Sequence, residues 1–424
     1  MVDRQGRLNA CGSAGEGNGA MKTFGMRSNT RRASILRGLS AVLVATVLAL
    51  PGLAAAQARY TARITGDVAQ LRDARTDTVV SVLTPVSNAY EMVVRGHNVL
   101  RMPIKSVDDM RARPGLNGIP LLAPFANRLD ETAFYANGQK YNFDMELGNV
   151  RGPVPIHGYL TGASAWKVVE VKADAGGAWV TSKLEFYRIP RYMQQFPFAH
   201  TLTMTYRLAD GALEVRTRID NLSDEPMPVA IGFHPYFQLT DSNRADWTLS
   251  VPAKTHWLLD ERNVPTGSTE PASTFWGGDS KAVPLSRFNG RLIDNVFTDL
   301  ERDAQGRGTV TLKGARQSLS VTLGPKYKTV LVYSTAAPPP PATGGGGARP
   351  SQTPPPPVSQ GPAVPLSATT GEPAPPERGF VAFEPMAGIT NAMNAAQKGT
   401  YKDLQSIPAG QSWEESFWVK PSGF

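Results

Sequence analysis

The sequence predicts an all-β protein, built as a large antiparallel β-sandwich in a single domain. Apolar and polar residues alternate in seven segments that are rich in Val, Thr, Tyr and Phe. Turn signals such as Asn137–Gly138, Gly176–Gly177 and Asp210–Gly211 separate several of them. Many short strands with turns between them are typical of a β-sandwich. The seven segments are 78–87, 91–96, 166–173, 178–187, 200–208, 212–221 and 291–300.

Residues 1–56 are predicted to be an N-terminal extension and signal peptide. Five basic residues between positions 22 and 37 precede an apolar run that ends in small residues. This is the layout of a secretory signal, with cleavage after Ala56. The apolar run is short for a membrane span, so we expect no stable span after cleavage, with an uncleaved anchor as the alternative. Export to the bacterial periplasm is therefore expected, and Arg31–Arg32 leaves open the Sec and twin-arginine routes.

Charge and cysteine content exclude several classes of protein. The formal net charge is +8, but residues 1–56 hold seven basic and two acidic residues, and the remainder carries only +3. Because the remainder has no basic cluster interleaved with aromatic residues, we expect no nucleic-acid partner. Cys11 is the one cysteine and precedes the cleavage point. The mature chain therefore has no disulfide, thiolate nucleophile or cysteine-ligated metal.

A Pro/Gly-rich segment interrupts the strand pattern at residues 336–378. Its composition supplies almost no core residues, so we predict a solvated, disordered insert. Strand-like segments flank it at 331–334 and 379–385. Long surface loops cost little closure entropy. We therefore interpret residues 57–424 as one domain, with the insert as an excursion between two of its strands.

Two of the five histidines have contexts that suggest a functional site. His157 is preceded by Pro155 and followed by Gly158, and a glycine beside a polar residue often marks a close backbone approach. His234 ends a strand-like segment, and Pro235 biases it towards an extended conformation. The alternative for each is a buried, hydrogen-bonded core residue.

Aromatic residues follow one of these histidines directly. Tyr236 and Phe237 add aromatic surface beside His234, of the kind that stacks under a sugar ring. The other three histidines have no comparable context, and we interpret them as structural. They are His97, His200 and His256.

Glu384 is the carboxylate whose context favours general-base chemistry. An apolar run, 379–383, leads directly into it. Burial removes the hydration of a carboxylate and raises its pKa towards that of a useful base. The alternative is a glutamate that ends the strand and faces solvent.

Three further polar residues interrupt apolar segments. Asp294 lies within the strand-like segment 291–300, and Asn127 and Arg128 are adjacent. Amide and guanidinium groups offer donors of fixed geometry that suit the recognition of hydroxyl groups. A surface or ion-pair role is the alternative for Arg128.

Motifs of other chemistries are missing from the sequence. No histidine pair has the i, i+4 spacing of a helical zinc site, and no EF-hand calcium loop occurs. The glycines at 344–347 are not followed by Lys-Ser or Lys-Thr, and no GxSxG motif is present. The sequence therefore favours neither a metal site, a phosphate-binding loop nor a serine hydrolase of that kind.

Five segments, in order, resemble the aldose 1-epimerase (galactose mutarotase) family. Each match is weak by itself, but the ordered set extends over about residues 60 to 420. The segments are PLLAPFANRLDETAFYANGQKYNF, PIHGYLTGASAWKV, GFHPYFQL, RLIDNVF and GFVAFEPMAGITNAMN. The sequence departs from the family where Ala-Pro-Phe-Ala precedes Asn127 in place of a Gly-Arg pair.

The resemblance implies a β-supersandwich with an open sugar-binding cleft and an enzyme that interconverts the α and β anomers of an aldose. It implies Glu384 as general base and His234 as general acid. It also implies a small-molecule sugar as partner, with no cofactor and no metal. The residues that it assigns to the sugar hydroxyls are His157, Arg128, Asn127 and Asp294.

Two other functions remain open from the residues alone. A non-catalytic carbohydrate-binding protein could use the same scaffold, although it would not require both Glu384 and His234. A glycoside hydrolase or lyase could be built on a related sandwich. Hydrolysis would require two carboxylates that face the scissile bond, and Asp294 with Glu384 could supply them.

Overall fold

Alternating side chains pair into strands along most of the chain, as the residue pattern predicts. The computed structural model describes residues 58–103, 106–288, 290–335 and 378–424. The predicted signal peptide, 1–56, lies outside these residues, as does all of the predicted insert except Arg378. In the described ranges, no helix is long and apolar enough to span a membrane.

The described residues form 28 strands and only short helices. In chain order the strands are β1 (Tyr60–Thr65), β2 (Val68–Asp73), β3 (Thr78–Leu83), β4 (Asn88–Val94), β5 (His97–Asn98), β6 (Leu121–Leu122), β7 (Ala133–Ala136), β8 (Gln139–Asn142), β9 (Val150–Arg151), β10 (Val154–Pro155), β11 (Lys167–Asp174), β12 (Gly177–Leu184), β13 (His200–Ala209), β14 (Ala212–Asn221), β15 (Met227–Val229), β16 (Gly232–Phe233), β17 (Tyr236–Phe237), β18 (Thr248–Ser250), β19 (Ala253–Leu259), β20 (Pro265–Pro271), β21 (Val283–Pro284), β22 (Ile293–Leu300), β23 (Gly308–Lys313), β24 (Ser318–Leu323), β25 (Thr329–Ser334), β26 (Val381–Met386), β27 (Gln405–Ile407) and β28 (Ser412–Ser422). The α-helices are α1 (Val107–Ala112), α2 (Pro190–Gln195), α3 (Ala272–Trp276) and α4 (Ala392–Gln397). Single 3₁₀ turns occupy Thr84–Val86, Phe186–Arg188, Arg244–Asp246 and Leu285–Phe288.

Three sheets contain most of these strands. A nine-stranded sheet has the order β11-β12-β13-β14-β28-β24-β23-β18-β21. An eight-stranded sheet has the order β20-β19-β22-β25-β26-β16-β6, with β17 also paired to β26. A five-stranded sheet follows chain order from β1 to β5. The strand ladders are antiparallel, which confirms the predicted all-β antiparallel fold.

Two of the predicted turn signals form two-residue hairpin turns. Asp210–Gly211 joins β13 to β14, and Asn137–Gly138 joins β7 to β8, in both cases with positive φ at both residues. The predicted Gly176–Gly177 turn is displaced by one residue, because Gly177 already pairs with Asp174 across the β11–β12 hairpin. The side chain of Asp174 accepts a hydrogen bond from the Gly176 amide at 2.7 Å and stabilises this turn.

The eight-stranded sheet has one face in the core and one face towards the candidate site. Phe233 of β16 packs against Phe417 of β28, with ring centroids 5.0 Å apart, and so joins this sheet to the nine-stranded sheet. Phe383 is fully buried and packs against Phe237. Because successive side chains of a strand point to opposite faces, Glu384 lies on the face away from Phe383.

Strands β25 and β26 border the predicted insert. They pair directly with each other from Thr329–Met386 to Tyr333–Ala382, as neighbours in the eight-stranded sheet. The chain therefore returns after the insert to the strand beside the one it left. The predicted excursion is compatible with this pairing, although most of its residues lie outside the described part of the chain.

Candidate active site

His234 and Glu384 are brought together by the register of one strand pairing. Strands β16 and β17 both pair with β26, through Gly232–Met386 and Tyr236–Ala382. The same antiparallel register places His234, between β16 and β17, opposite Glu384. Directly opposed residues in such a pair have Cβ atoms about 4.5–5.5 Å apart, so their side chains can meet.

The side chains of these two residues are in direct contact. His234 Nε2 lies 3.0 Å from Glu384 Oε1, and the exposed fractions of the two side chains are 7% and 1%. Burial raises the pKa of Glu384 above its ordinary value, although the charge and hydrogen bond of His234 act in the opposite direction. The pair thus joins a carboxylate whose pKa is raised to an imidazole whose Nε2 can carry a proton.

Each partner of this pair also keeps a buried polar atom without a hydrogen bond among the described residues. These atoms are Oε2 of Glu384 and Nδ1 of His234. Leaving such an atom unsatisfied costs about 1–3 kcal/mol. A ligand that brings hydroxyl groups into the site would recover part of this free energy.

Asp294 and Tyr333 lie on the same face of the sheet as Glu384. Strand β22 pairs Asp294 with Tyr333 of β25, and β25 pairs Leu331 with Glu384. Residues two apart on a strand share a face, so the Asp294, Tyr333 and Glu384 side chains project from one surface. Asp294 and Glu384 are therefore separated by one intervening strand, at about 10 Å between strand axes.

His157 is held beside the pair by hydrogen bonds with Asn127, and both are loop residues with positive φ. Asn127 and His157 have φ of 56° and 59°, and the His157 amide donates to the Asn127 carbonyl at 2.8 Å. The Asn127 amide in turn donates to Nδ1 of His157 at 3.2 Å. Because Nδ1 accepts, the neutral ring carries its proton on Nε2 and can donate from there.

His157 is held in its neutral form. Burial lowers its pKa well below the ordinary value, and the charges of His234 and Arg128 lower it further. Its ring lies edge-on to the ring of His234, with centroids 5.4 Å apart. His157 is thus a fixed neutral donor beside the His234–Glu384 pair.

Arg128 connects the loop to the sheet. Its guanidinium donates to Asn127 Oδ1 at 2.9 Å and to Asp294 Oδ2 at 3.0 Å. The exposed fractions of the Arg128 and Asp294 side chains are 6% and 9%, so this ion pair is largely desolvated. Asn263 donates a further hydrogen bond to Asp294 Oδ2 at 3.1 Å. The position of Asp294 is therefore fixed from two sides.

Aromatic side chains form one wall of the site. Tyr236 stacks on His234 with centroids 4.5 Å apart, and Tyr333 and Phe380 pack against Tyr236. Phe237, which the sequence suggested as part of this surface, points away from it. Phe237 is fully buried and packs against Phe383 on the other face of the sheet, because neighbouring residues of a strand face opposite sides.

The model of the family described as aldose 1-epimerase matches residues 96–415. This match extends over most of the chain and includes the six predicted site residues. The chain belongs to the aldose 1-epimerase family. The resemblance noted in the sequence is thereby confirmed.

Solved structures of similar fold have names that refer to galactose mutarotase or aldose epimerase. A galactose mutarotase-like protein from Clostridium acetobutylicum is 18% identical and has a TM-score of 0.64, with 86% of this chain and 98% of that chain covered. Galactose 1-epimerase from Lactobacillus acidophilus is 13% identical, with a TM-score of 0.60 and the same coverage of both chains. An aldose epimerase homologue from C. elegans is 15% identical, with a TM-score of 0.58 and coverage of 82% and 97%. At these identities the likeness supports the fold.

Within this member of the aldose 1-epimerase family, the structure gathers the six predicted site residues into one buried cluster. Glu384 contacts His234, and the His234 ring lies beside His157. Asn127 is hydrogen-bonded to both His157 and Arg128, and Arg128 in turn donates to Asp294. The structure leaves His97, His200 and His256 out of these contacts. In the described part of the chain, no group of three or more His, Cys, Asp or Glu residues is placed to hold a metal ion.

Three further residues beside this cluster were not predicted from the sequence. Tyr333 lies in a strand-like segment, so its alternation with buried neighbours was a usable signal. Phe380 belongs to the apolar run that leads to Glu384, but its contact with Tyr236 depends on strand pairing. Asn263 lies in a turn, and nothing in the sequence connects it with Asp294.

Proposed function

We propose that this protein is an aldose 1-epimerase that interconverts the α and β anomers of a free aldose by acid/base ring opening and closure. The observation that carries the proposal is the buried 3.0 Å contact between His234 Nε2 and Glu384 Oε1. Ring opening requires one group to remove a proton and another to supply one, and this pair offers both.

The reaction begins with a pyranose bound against the pair. Glu384 accepts the proton of the C1 hydroxyl, and His234 donates its Nε2 proton to the ring oxygen. The C1–O5 bond breaks and leaves an aldehyde at C1. Rotation about C1–C2 presents the other face of the carbonyl, and the same two groups reverse their transfers as the ring closes. Each proton transfer is worth roughly 10²–10⁴-fold in rate.

The neighbouring residues hold the sugar and the developing charge. His157 is neutral and carries its proton on Nε2, so it can donate to an oxygen that gains negative charge. Arg128 and Asp294 offer a donor and an acceptor of fixed geometry for sugar hydroxyls. The stacked ring of Tyr236 keeps the His234 imidazole in place.

Polarimetry of freshly dissolved α-glucose, α-galactose and α-xylose tests the proposal. We expect mutarotation of at least one aldose to run faster in proportion to enzyme concentration. Binding of the sugar without acceleration would instead identify a carbohydrate-binding protein. Release of monosaccharide from a disaccharide would identify a hydrolase that uses Asp294 with Glu384.

We also propose that the protein is exported, in a bacterium to the periplasm. This proposal rests on the order of basic, apolar and small residues between positions 22 and 56. The N-terminal residue of protein recovered from the periplasm tests it, and recovery of an uncleaved chain from the cytoplasm would contradict it.

A further inference from the structure

Strands β19 and β22 separate beside Asp294. They pair as far as His256–Phe297, and the register of β19 against β20 shifts between Trp257 and Leu259. In a continued antiparallel ladder, Leu259 would lie opposite Asp294. A cavity of about 450 Å³ occupies this gap, and both of these residues line it. Among the described strands, the segment that carries Asp294 is therefore paired on one side only, with β25.

A side chain bridges the gap that the separated strand leaves. The backbone amide of Asp294 donates to Oδ1 of Asn295 at 3.2 Å. Because neighbouring residues of a strand point to opposite faces, the Asn295 side chain lies behind the face that carries the Asp294 carboxylate. Nδ2 of Asn295 lies 3.0 Å from Nε2 of His256, which belongs to β19. Asn295 thus connects β22 to β19 where the ladder between them has ended.

The chain of hydrogen bonds continues from His256 to Glu270. Strand β20 pairs Glu270 directly with His256, and Oε1 of Glu270 lies 2.8 Å from Nδ1 of His256. The imidazole is buried and packs against the rings of Phe275 and Phe297, at centroid distances of 4.5 and 5.2 Å. Burial lowers the pKa of His256, although the hydrogen bond and charge of Glu270 act in the opposite direction. The neutral ring therefore offers one donor and one acceptor.

The two ends of this chain determine the direction of every hydrogen bond in it. The Asp294 amide can only donate, and the ionised carboxylate of Glu270 can only accept. Asn295 must therefore turn Oδ1 towards the Asp294 amide and Nδ2 towards His256. Nε2 of His256 then accepts, and Nδ1 carries the proton that is donated to Glu270. The reverse orientation of the Asn295 amide would place two donors against each other at Asp294.

The carboxylate of Asp294 has one oxygen available for a ligand. Oδ2 accepts from Arg128 and Asn263 at 3.0 and 3.1 Å. Since both hydrogen bonds end on Oδ2, Oδ1 can still accept from a ligand hydroxyl. The strength of that bond depends steeply on distance and angle. The position of Oδ1 is thus determined by Arg128 and Asn263 at the side chain and by Asn295 at the backbone.

We propose that Asn295 is a positioning residue for Asp294, and that His256 and Glu270 hold Asn295 in the orientation this requires. The proposal rests on the proposed function, in which Asp294 accepts from a hydroxyl of the bound aldose. It also connects His256, which the sequence context assigned to structure, with the candidate active site. The three residues act through Asp294, so the acid/base pair itself keeps its contact when the chain is interrupted.

Asn295→Leu removes both hydrogen bonds with a side chain of similar branching. We expect KM for the best aldose to rise about fivefold, the worth of one hydrogen bond. The kcat should change less than twofold, because Asp294 binds a hydroxyl in the ground state and the transition state alike. Asn295→Asp is the conservative variant, since its carboxylate still accepts from the Asp294 amide and from a protonated His256. It should restore KM to within about twofold of the unchanged protein.

His256→Phe interrupts the same chain at its next link. A phenylalanine suits the aromatic surroundings of Phe275 and Phe297, so the variant should keep its fold. It leaves the Asn295 amide free to turn, and KM should rise about threefold. The double variant with Asn295→Leu should show no further rise, because both substitutions act through one chain of contacts. Independent, multiplicative effects on KM would contradict the proposed chain.

Thr298→Val is the matched control on the same strand. Thr298 accepts a hydrogen bond from Nε1 of Trp257 at 3.0 Å, and its contacts do not include Asp294. Loss of this bond should lower the free energy of unfolding in urea but leave KM unchanged. If Thr298→Val raises KM as much as Asn295→Leu does, general loosening of β22 explains the effect and the proposal fails. It also fails if Asn295→Asp does not restore KM.

Calorimetric titration of the same variants with the same aldose gives a readout without turnover. Binding that weakens about fivefold in Asn295→Leu and recovers in Asn295→Asp supports the positioning role even if no sugar is turned over, in which case only the proposed activity fails. Unchanged Kd and KM in Asn295→Leu, with normal turnover, reject the positioning role and keep the activity.

Discussion

At the scale of single residues, the site depends on a carboxylate and an imidazole whose ordinary properties are changed by burial. Glu384 is removed from water, and burial raises its pKa more than the charge of His234 lowers it. His157 is also buried, and its pKa falls, so it remains neutral beside the pair. One desolvated pocket thus makes a stronger base of the glutamate and keeps one histidine in the donor form.

The pH dependence of activity follows from the raised pKa of Glu384. Proton removal from the C1 hydroxyl needs the carboxylate ionised, so kcat/KM should fall as pH decreases through this pKa. We therefore expect the acid limb to have its midpoint above 4.5, the ordinary value for this group. Rates of mutarotation between pH 4 and 8 provide the measurement. A midpoint at or below 4.5 would contradict Glu384 as the base.

Asp294→Asn provides the control for the assignment of Glu384 as the base. After burial, the negative charge of Asp294 is a further cause that raises the pKa of Glu384, while Arg128 lowers it. Removal of the Asp294 charge leaves Arg128 unopposed, so the acid limb should move to lower pH. The height of the profile can fall as well, because Asp294 also positions the substrate, but only its midpoint reports the charge.

At the scale of elements, two loops are locked together where they carry Asn127 and His157. Ala123 forms a parallel bridge with Gly158, and Arg128 forms an antiparallel bridge with Ile156. The amides of Tyr159 and Leu160 both donate to the Ala123 carbonyl. These contacts make the orientation of His157 depend on backbone packing.

Gly158 is the position at which this packing leaves no room for a side chain. Its φ is +59°, and a Cβ there would lie 2.1 Å from the Ala123 carbonyl oxygen. We expect Gly158→Ala to lower the free energy of unfolding by about 3 kcal/mol and to reduce mutarotation by displacing His157. Urea denaturation and polarimetry give the two measurements.

Gly152→Ala is the matched control for backbone conformation. Gly152 has nearly the same φ, +61°, but beyond its chain neighbours no atom lies within 4 Å of the place that a Cβ would take. Its cost should therefore be the conformational one alone, about 1–2 kcal/mol. If the two variants lose the same stability and both keep normal activity, the close approach at Gly158 has no role in placing His157.

Local elements were predictable where the sequence contains its own turn and strand signals. Asp210–Gly211 and Asn137–Gly138 form the hairpin turns that they predict, since Asn, Asp and Gly accept positive φ. The left-handed conformation of His157 was not predictable, because only a small share of histidines adopts positive φ and the surrounding loop imposes it here. Phe237 was expected to share the aromatic surface of Tyr236, although alternation along a strand places these two neighbours on opposite faces.

At the scale of the whole molecule, the fold joins residues that are far apart in the chain. The order of motifs indicates which residues belong to the site, and the antiparallel sheet then determines which of them touch. His234 meets Glu384 because β16 and β17 pair with β26. Strand β26 follows the predicted insert in the chain. Residue patterns within each segment do not show which strands become neighbours across the insert, nor which turn brings Asn263 to Asp294.

The central claim is that His234 and Glu384 act as one acid/base unit, and a double-mutant cycle followed by polarimetry tests it most directly. Glu384→Gln and His234→Asn should each lower the rate of mutarotation of the best aldose by roughly 10²-fold or more. The double variant should be no more than about tenfold slower than the slower single variant, because residues that act together lose their effect together. Near-normal rates in both single variants, with sugar binding intact, would contradict the account.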